Sequence, residues 1–352
     1  MIDFGWETHW LRLNAPGKRD DSRAISKGVI QEAAWNFHRF SWVGVSDPIR
    51  RLKTVVETIK PDITLAGPVQ KVASLAAFAK IHPLVCMSWG SDLLLDARLS
   101  LFERWLASYT LKRSDGFIGD CQTVMKAART LGFNSEKTAL FPWGIDLHLF
   151  NPEKRGFFRR QLGYESETLL LCTRSFEELY GVDHVIRAFA LMLKKKPNLL
   201  LFLVGDGSQR EKLKEMCSKL GIRQKVFFAG RKEYQDLPAY YLACDVYMSA
   251  SHSDGSSVSL MEALASGLPV IISDIPSNRE WITHGINGWL FPDSDERDLA
   301  ELTLKVIEDT QAVQKIKIKA RETAEERADW DVNKNNLKRL FDNICKESNK
   351  AK

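Results

Sequence analysis

The residues best suited to chemistry in this sequence lie in one short segment, where Asp254 precedes Glu262 by eight positions. Between the two carboxylates, a small and flexible turn over 255–257 leads into an apolar helical pattern that begins at Val258. Backbone N–H groups at the start of a helix are unpaired within the helix and offer a site for a diphosphate. Glu262 lies about two turns further along, where its carboxylate can accept hydrogen bonds from a ribose diol. The pattern predicts a nucleotide site in preference to a surface helix with two solvated carboxylates.

The elements that position this segment follow a regular alternation of short apolar runs and helical patterns. In the first half, the predicted strands are 62–66, 83–88 and 116–119, and the predicted helices are 72–81, 100–113 and 122–131. In the second half, strands are predicted at 169–173, 199–204, 226–228, 246–249, 269–273 and 289–291, with helices at 182–195, 209–220, 237–243 and 258–266. Such an alternation predicts parallel sheets with helices on both faces.

The alternation is interrupted once, by the turn-rich segment 141–152, and then restarts. A chain of 352 residues also exceeds one ordinary hydrophobic core. We therefore predict an α/β protein with two Rossmann-like, doubly wound domains that face each other across a cleft. The predicted domains are 1–145 and 146–328, followed by an amphipathic helix in 329–352 that is either a surface helix or a return to the first domain.

The composition excludes several classes of protein. Apolar residues make up 44% and charged residues 27%, which is typical of a globular chain. A net charge of +5 suits an anionic small molecule or a loose contact with an acidic membrane surface, but the basic residues are dispersed and no zinc-finger or RNA-binding signature occurs, so nucleic acid is not an expected partner. The six cysteines form no CxxC pair, and together with the lack of a signal peptide they predict buried thiols in the cytoplasm.

The segment around Asp254 and Glu262 resembles the E-x7-E signature of family 4 glycosyltransferases. In that family Asp254 stands at the position of the first Glu, and Glu262 matches the second. The resemblance extends from about Gly5 to Asn343 and implies the GT-B fold and transfer with retention of anomeric configuration. Gly5–Leu11 resembles the family's second strand, so the first strand, its glycine loop and the first helix would precede Met1. The resemblance also implies that the final helix returns to the first domain.

Several other stretches agree with the family pattern. The strand end at Thr173-Arg174 and the turn at Tyr180-Gly181 are similar to the "GRL…KGvd" motif, with Tyr180 in place of the Lys. Arg174 would clamp the diphosphate, because a guanidinium binds phosphate through two donors. The loop with Gly230 and Arg231 resembles the one whose backbone reads the base. The resemblance thus implies a catalytic pair, Asp254 and Arg174, and a donor-binding set of Glu262, Gly255, Ser256, Ser257, Val258, Gly230 and Arg231.

In the first half, residues 88–92 fall where many family members carry a His-Gly-x-Asp turn that lines the cleft. Trp89 replaces the His, so it offers either an apolar wall of the cleft or ordinary packing. Asp92 is expected to point to the cleft or to cap a helix.

No metal and no cofactor are expected. The sequence has no HExxH motif, and neither Asp20-Asp21 in a polar loop nor Asp293-Ser294-Asp295 in an Asx turn is a convincing metal-binding triplet. We expect the helix terminus and Arg174 to stabilise the leaving diphosphate instead.

Together, these features imply transfer of a hexose-type sugar from a nucleoside-diphosphate sugar, UDP favoured over GDP, to a hydroxyl acceptor. The acceptor would be a glycan, a lipid-linked glycan or a small molecule, and the site of action the cytoplasm, at the inner face of the membrane for a lipid. Asp254 would hold sugar hydroxyls and Glu262 the ribose. Two alternatives stay open: a GT-B nucleotide-sugar epimerase, and a non-catalytic subunit that binds sugar nucleotides.

Overall fold

The computed structural model describes residues 4–11, 13–14, 29–31, 35–36, 44–164 and 166–350. The chain divides into two compact units. The first unit comprises residues 1–120, 124–141 and 335–352, and the second comprises 121–123 and 142–334.

The first unit contains parallel strand pairs and one parallel sheet. Its elements are β1 (Thr8–Trp10), β2 (Leu13–Asn14), β3 (Val29–Gln31), β4 (Trp35–Asn36), α1 (Ser46–Ile59), β5 (Thr64–Ala66), α2 (Ser74–Phe78), β6 (Leu84–Met87), α3 (Ala97–Leu99), α4 (Leu101–Lys112), β7 (Gly116–Gly119), α5 (Gln122–Thr130, whose first two residues fall in the second unit) and β8 (Thr138–Leu140). Strand β1 pairs with β3 and β2 with β4, and the four-stranded sheet has the order β5-β6-β7-β8.

The second unit is built around a six-stranded parallel sheet. Its elements are α6 (Arg155–Leu162), β9 (Thr168–Cys172), α7 (Val182–Lys195), β10 (Leu199–Leu203), α8 (Arg210–Lys219), β11 (Val226–Phe228), α9 (Leu237–Ala243), β12 (Val246–Ser249), α10 (Val258–Ala265), β13 (Val270–Ser273), α11 (Pro276–Trp281), β14 (Trp289–Phe291), α12 (Glu296–Glu308) and α13 (Thr310–Arg327). The last helix, α14 (Trp330–Lys350), has its first five residues in this unit and the others in the first unit.

Burial on both faces explains why the strands of the second unit are continuous apolar runs. All five residues of β10 are buried, and so are four of the five in β9. One face of the sheet packs on α7 through Val185, Ile186 and Phe189. The opposite face packs on α10 through residues that include Leu260 and Leu264.

The strand order of the second unit decides where a ligand can bind. The order β11-β10-β9-β12-β13-β14 corresponds to 3-2-1-4-5-6, which is the order of a doubly wound nucleotide-binding sheet. The direction of winding reverses between β9 and β12, which pair through Leu170 and Val246. In such sheets ligands bind outside the carboxyl ends of the strands at this reversal.

The predicted α/β class with two Rossmann-like, parallel-sheet units is confirmed. The strands at 226–228, 246–249 and 289–291 have the predicted bounds. The predicted helix 72–81 differs, because Val69–Ala73 forms a π-helical turn and α2 ends at Phe78. Among the described helices, none combines the length and apolar character that a membrane span requires.

Candidate functional site

Two loops at the carboxyl edge of the second unit's sheet carry the predicted catalytic residues. Arg174 follows β9 by two positions, and Asp254 follows β12 by five. Because β9 and β12 are neighbours in the sheet, the two loops emerge side by side. The sheet topology thus brings together two motifs that are far apart in the sequence.

Arg174 is the centre of this cluster. Its Nη2 donates to Asp254 Oδ2 at 2.6 Å, and its Nη1 donates to Ser257 Oγ at 2.6 Å and to Ser259 Oγ at 2.9 Å. The guanidinium carbon also lies 4.2 Å from the centre of the Tyr180 ring, in a cation–π contact. Tyr180, where the resembled motif has Lys, therefore supports Arg174 instead of adding a second positive charge.

The burial of Arg174 makes its charge dependent on these partners. The residue is 8% exposed. Burial alone would lower the pKa of Arg174, but the Asp254 carboxylate outweighs this and raises the pKa above its ordinary value. Arg174 Nε is buried without a hydrogen-bond partner among the described residues. An unpaired buried N–H is costly, by about 1–3 kcal/mol.

The turn before α10 is organised by hydrogen bonds of its own side chains. Ser257 is the N-cap, with its Oγ accepting from Leu260 N at 3.4 Å. Asp254 Oδ1 accepts from Gly255 N at 3.0 Å, and Ser256 Oγ accepts from Trp281 Nε1 at 2.9 Å. Val258, the first residue of the helix, is exposed. This arrangement leaves a fixed helix N-terminus beside Arg174, as an anion site requires.

Glu262 lies further along α10, towards its C-terminus, and is only 4% exposed. Its Oε2 accepts a hydrogen bond from the Tyr241 hydroxyl at 2.7 Å. Burial raises the pKa of Glu262 to about 7, against the lowering effects of the Tyr241 hydrogen bond and the Arg174 charge. Glu262, the residue predicted to bind the ribose, is thus a carboxyl group with a pKa near neutral pH.

The turn after Tyr180 packs tightly against the end of β12. Gly181 has φ +55°, and a Cβ there would lie 2.1 Å from the carbonyl oxygen of Ala250. Only glycine fits both the left-handed backbone and this close approach. Glycine at position 181 therefore allows the turn to lie against Ala250, and this places Tyr180 beside Arg174.

The loop predicted to read the base follows β11 on the same edge of the sheet. Gly230 has φ +72°, and its carbonyl oxygen accepts from Gly205 N at 3.0 Å. The Arg231 side chain is exposed. The main chain of this loop is thus tied to the turn that follows β10.

In the first unit, Trp89 is exposed, whereas Asp92 is buried. Asp92 Oδ1 accepts from Ser88 Oγ at 2.5 Å and from Trp89 N at 3.1 Å, and Asp92 Oδ2 accepts from Val69 N at 2.9 Å. Burial raises the pKa of Asp92 against these hydrogen bonds. Asp92 thus holds its own turn and contacts Val69, and both a role at the cleft and a role as a helix cap stay predictions.

The acidic residues considered for a metal have structural partners here. Asp293 Oδ1 lies 2.8 Å from His252 Nδ1, and Asp295 caps α12 by accepting from Arg297 N and Asp298 N, both at 3.0 Å. Over the described ranges, no three His, Cys, Asp or Glu side chains come together as a ligand set. The Asp20-Asp21 pair lies outside the described residues.

Sequence reasoning missed the hydroxyl groups around this cluster. Tyr247 OH donates to Ser259 Oγ at 2.8 Å, and Tyr241 contacts Glu262 and Thr173. Both tyrosines are fully buried in apolar segments, where their rings alone account for their presence. Neither a motif nor a spacing distinguishes them from ordinary core residues.

Comparisons with known proteins relate part of this chain to glycosyltransferases. Residues 154–323 match the model of the family described as glycosyl transferases group 1. The chain is 31% identical over 212 residues to an alpha-monoglucosyldiacylglycerol synthase from Streptococcus pneumoniae, covering 58% of this chain and 47% of the relative. It is 26% identical over 216 residues to a GDP-mannose-dependent phosphatidylinositol monomannoside mannosyltransferase from Corynebacterium glutamicum, covering 58% and 52%. The chain thus spans about half the length of these curated relatives.

The solved structures extend the likeness to the fold of nearly the whole chain. Anabaena Alr3699/HepE, in complex with UDP and glucose, aligns with a TM-score of 0.77 at 22% identity and covers 90% of this chain and 86% of that one. This likeness confirms the GT-B fold expected from the sequence. Residues 154–323 are therefore similar to group 1 glycosyl transferases, within a chain that has the GT-B fold.

Proposed function

We propose that this protein transfers a hexose-type sugar from a nucleoside-diphosphate sugar to a hydroxyl acceptor. The observation that carries the proposal is the cluster at the reversal point of the second unit's sheet. There, Arg174 lies within hydrogen-bond distance of both Asp254 and Ser257, the N-cap of α10. A carboxylate, a guanidinium and a helix terminus are the groups that sugar hydroxyls and a diphosphate require.

Each group has a proposed role. Glu262 binds the ribose diol, and Asp254 binds hydroxyls of the transferred sugar. Arg174 and the amides over 256–258 stabilise the departing diphosphate. The contacts of the two Arg174 Nη atoms with Asp254, Ser257 and Ser259 support this role, since they hold the guanidinium beside the helix terminus. Gly230 and Arg231 contribute to the base site through the backbone of their loop.

We propose that the transfer retains the anomeric configuration. The bond from the anomeric carbon to the phosphate oxygen breaks while a bond to the acceptor oxygen forms on the same face. The leaving phosphate oxygen takes the acceptor proton, so no protein nucleophile or base is needed. Asp254 in its ion pair with Arg174 stays an acceptor for sugar hydroxyls instead of attacking the anomeric carbon.

UDP is the proposed nucleotide, ahead of GDP. Support comes from the UDP and glucose bound by Anabaena Alr3699/HepE, while the GDP-mannose-dependent relative keeps GDP as the rival. The acceptor is proposed to be a glycan, a lipid-linked glycan or a small molecule, in the cytoplasm. A net charge of +5 is compatible with a peripheral contact with anionic membrane lipid. No metal is proposed, because Arg174 and the helix terminus supply positive potential.

The test is a screen of UDP- and GDP-sugars by mass spectrometry, with and without a panel of hydroxyl acceptors. A sugar-transfer product, or hydrolysis of one donor alone, is the expected result, and NMR of the product gives its anomeric configuration. An isomerised donor sugar formed without an acceptor would instead identify an epimerase. Nucleotide-sugar binding with no turnover across the panel would contradict the proposed enzyme and favour a non-catalytic subunit.

A further inference from the structure

A buried hydroxyl chain joins the end of β9 to α10 beneath the helix terminus. It consists of Thr173, Tyr241 and Glu262, with Tyr241 on α9 in the middle. Tyr241 is fully buried, and its oxygen contacts Thr173 Oγ1 as well as Glu262 Oε2. Since α9 and α10 lie on the same face of the sheet, the chain reaches Glu262 from the protein interior.

The number of available protons fixes the direction of these hydrogen bonds. A phenol has one proton to donate. Two acceptors lie near it: Glu262 Oε2 at 2.7 Å and the Ser259 carbonyl oxygen at 3.3 Å. The shorter contact to a group that can be charged takes the proton, because charge-assisted hydrogen bonds are the stronger ones. The Thr173 hydroxyl then donates to the Tyr241 oxygen, so the chain runs from Thr173 through Tyr241 to Glu262.

We propose that Tyr241 is a positioning residue that holds Glu262 in its ionised form, with one oxygen oriented as the acceptor for the ribose diol. This inference rests on the proposed function, in which Glu262 binds the ribose. Without the Tyr241 hydroxyl, the buried carboxyl group of Glu262 would lose its hydrogen-bond donor and would bind a proton more readily. A protonated Glu262 is a poorer acceptor for two hydroxyl groups.

The groups that face Glu262 from its neighbours determine the expected pH dependence. Tyr241 faces it from α9, Arg174 from the loop after β9, and Tyr234 from the turn before α9. Burial raises the pKa of Glu262, whereas the Tyr241 hydrogen bond and the Arg174 charge lower it. Loss of the phenol removes one of the two lowering contributions, so Tyr241→Phe must shift the titration of Glu262 upward.

Tyr247 provides a matched control. It too is a fully buried tyrosine, its ring centre is 6.0 Å from that of Tyr241, and its hydroxyl donates to α10. Its acceptor, however, is Ser259 Oγ at 2.8 Å instead of the carboxylate. Tyr247→Phe therefore removes the same atom from the same layer without removing a donor to Glu262.

The experiment compares binding of UDP and 2′,3′-dideoxy-UDP by calorimetry between pH 6 and 8.5, in wild type, Tyr241→Phe and Tyr247→Phe. Both nucleotides carry the same diphosphate, so its own titration cancels in the ratio of their affinities. In wild type, UDP should bind about ten-fold or more tightly, since the diol donates to a charged acceptor. Tyr241→Phe should reduce this ratio about five-fold at pH 7 and regain most of it at pH 8.5, and Tyr247→Phe should leave the ratio and its midpoint unchanged.

The outcomes separate the two hypotheses. A wild-type ratio near one would overturn the ribose role of Glu262, and the role of Tyr241 with it. A normal wild-type ratio that persists in Tyr241→Phe at every pH would overturn the role of Tyr241 alone. Equal losses in both variants, without recovery at pH 8.5, would assign the tyrosine hydroxyls to packing of α10 and would likewise contradict the proposal.

Discussion

Arg174 Nη2 lies 2.6 Å from Asp254 Oδ2, although 80 positions separate the two residues in the sequence. The Asp254 side chain is 17% exposed and that of Arg174 8%, so the pair is largely removed from water. Breaking one member of such a pair leaves an uncompensated charge. A change of either residue should therefore affect both the folding stability of this site and the proposed binding of the sugar donor.

Replacement of Arg174 by Lys should reduce sugar transfer by about ten- to a hundred-fold, because an ammonium cannot contact Asp254, Ser257 and Ser259 with a planar fork. Initial rates with saturating donor measure the effect. The control is Arg187→Lys, whose partner Asp183 lies four residues away on α7, in a part-buried ion pair outside the cluster. Equal rates in wild type and Arg174→Lys would contradict the assigned role.

Replacement of Glu262 by Ala should weaken UDP binding by more than about 1 kcal/mol, because it removes charge-assisted hydrogen bonds to the diol. Calorimetry with UDP and GDP measures the loss. Glu301→Ala, on the exposed surface of α12, is a control of the same residue type. Undiminished binding of both nucleotides to Glu262→Ala would exclude the ribose role.

Stability should depend on pH through Glu262. Its pKa in the folded protein is about 7 against an ordinary value of 4.5, so the folded state binds the proton more tightly. The contribution of Glu262 to the free energy of unfolding is therefore complete below about pH 4.5. It is lost as the pH rises through 7, and the loss is at most about 3 kcal/mol. Glu262→Gln removes this dependence. Thermal unfolding at pH 5 and pH 8 should therefore show a smaller loss in Glu262→Gln than in wild type, and identical losses would argue against a raised pKa.

Gly181→Ala should destabilise the second unit by several kcal/mol, because the new Cβ would meet the Ala250 carbonyl oxygen at 2.1 Å. The control is Gly221→Ala, where φ is also positive, at +70°, but nothing lies within 4 Å of a Cβ. That change should cost only about 1–2 kcal/mol, the backbone contribution. Equal melting temperatures for the two variants would show that the turn can move away.

Sugar transfer should persist in excess EDTA, because Arg174 and the N-terminus of α10 supply the positive potential that a divalent ion would otherwise provide. The assay adds magnesium or manganese after chelation. Loss of activity with EDTA, rescue by the ion, and a further requirement for Asp293 or Asp295 would refute metal independence. Asp309→Ala, which removes the N-cap of α13, is a control for general effects of losing a capping carboxylate.

The sequence alone determined much of the second unit. Strands β9 and β10 are nearly continuous apolar runs, because a strand inside a parallel sheet is buried on both faces. The helix that begins at Val258 is likewise indicated by its apolar spacing. The eight-residue spacing of Asp254 and Glu262 identified the segment, because both carboxylates belong to one local turn and helix.

Other features depend on which strands are neighbours. Arg174 meets Asp254 only because β9 and β12 are adjacent, and an alternation of strands and helices is the same for any strand order. For the same reason the contact of Tyr241 with Glu262 could not be predicted, since the sequence of α9 does not disclose which neighbour the hydroxyl of Tyr241 meets. Local periodicity specified the elements, whereas packing between distant segments decided the partners of each polar side chain and the pKa of Glu262.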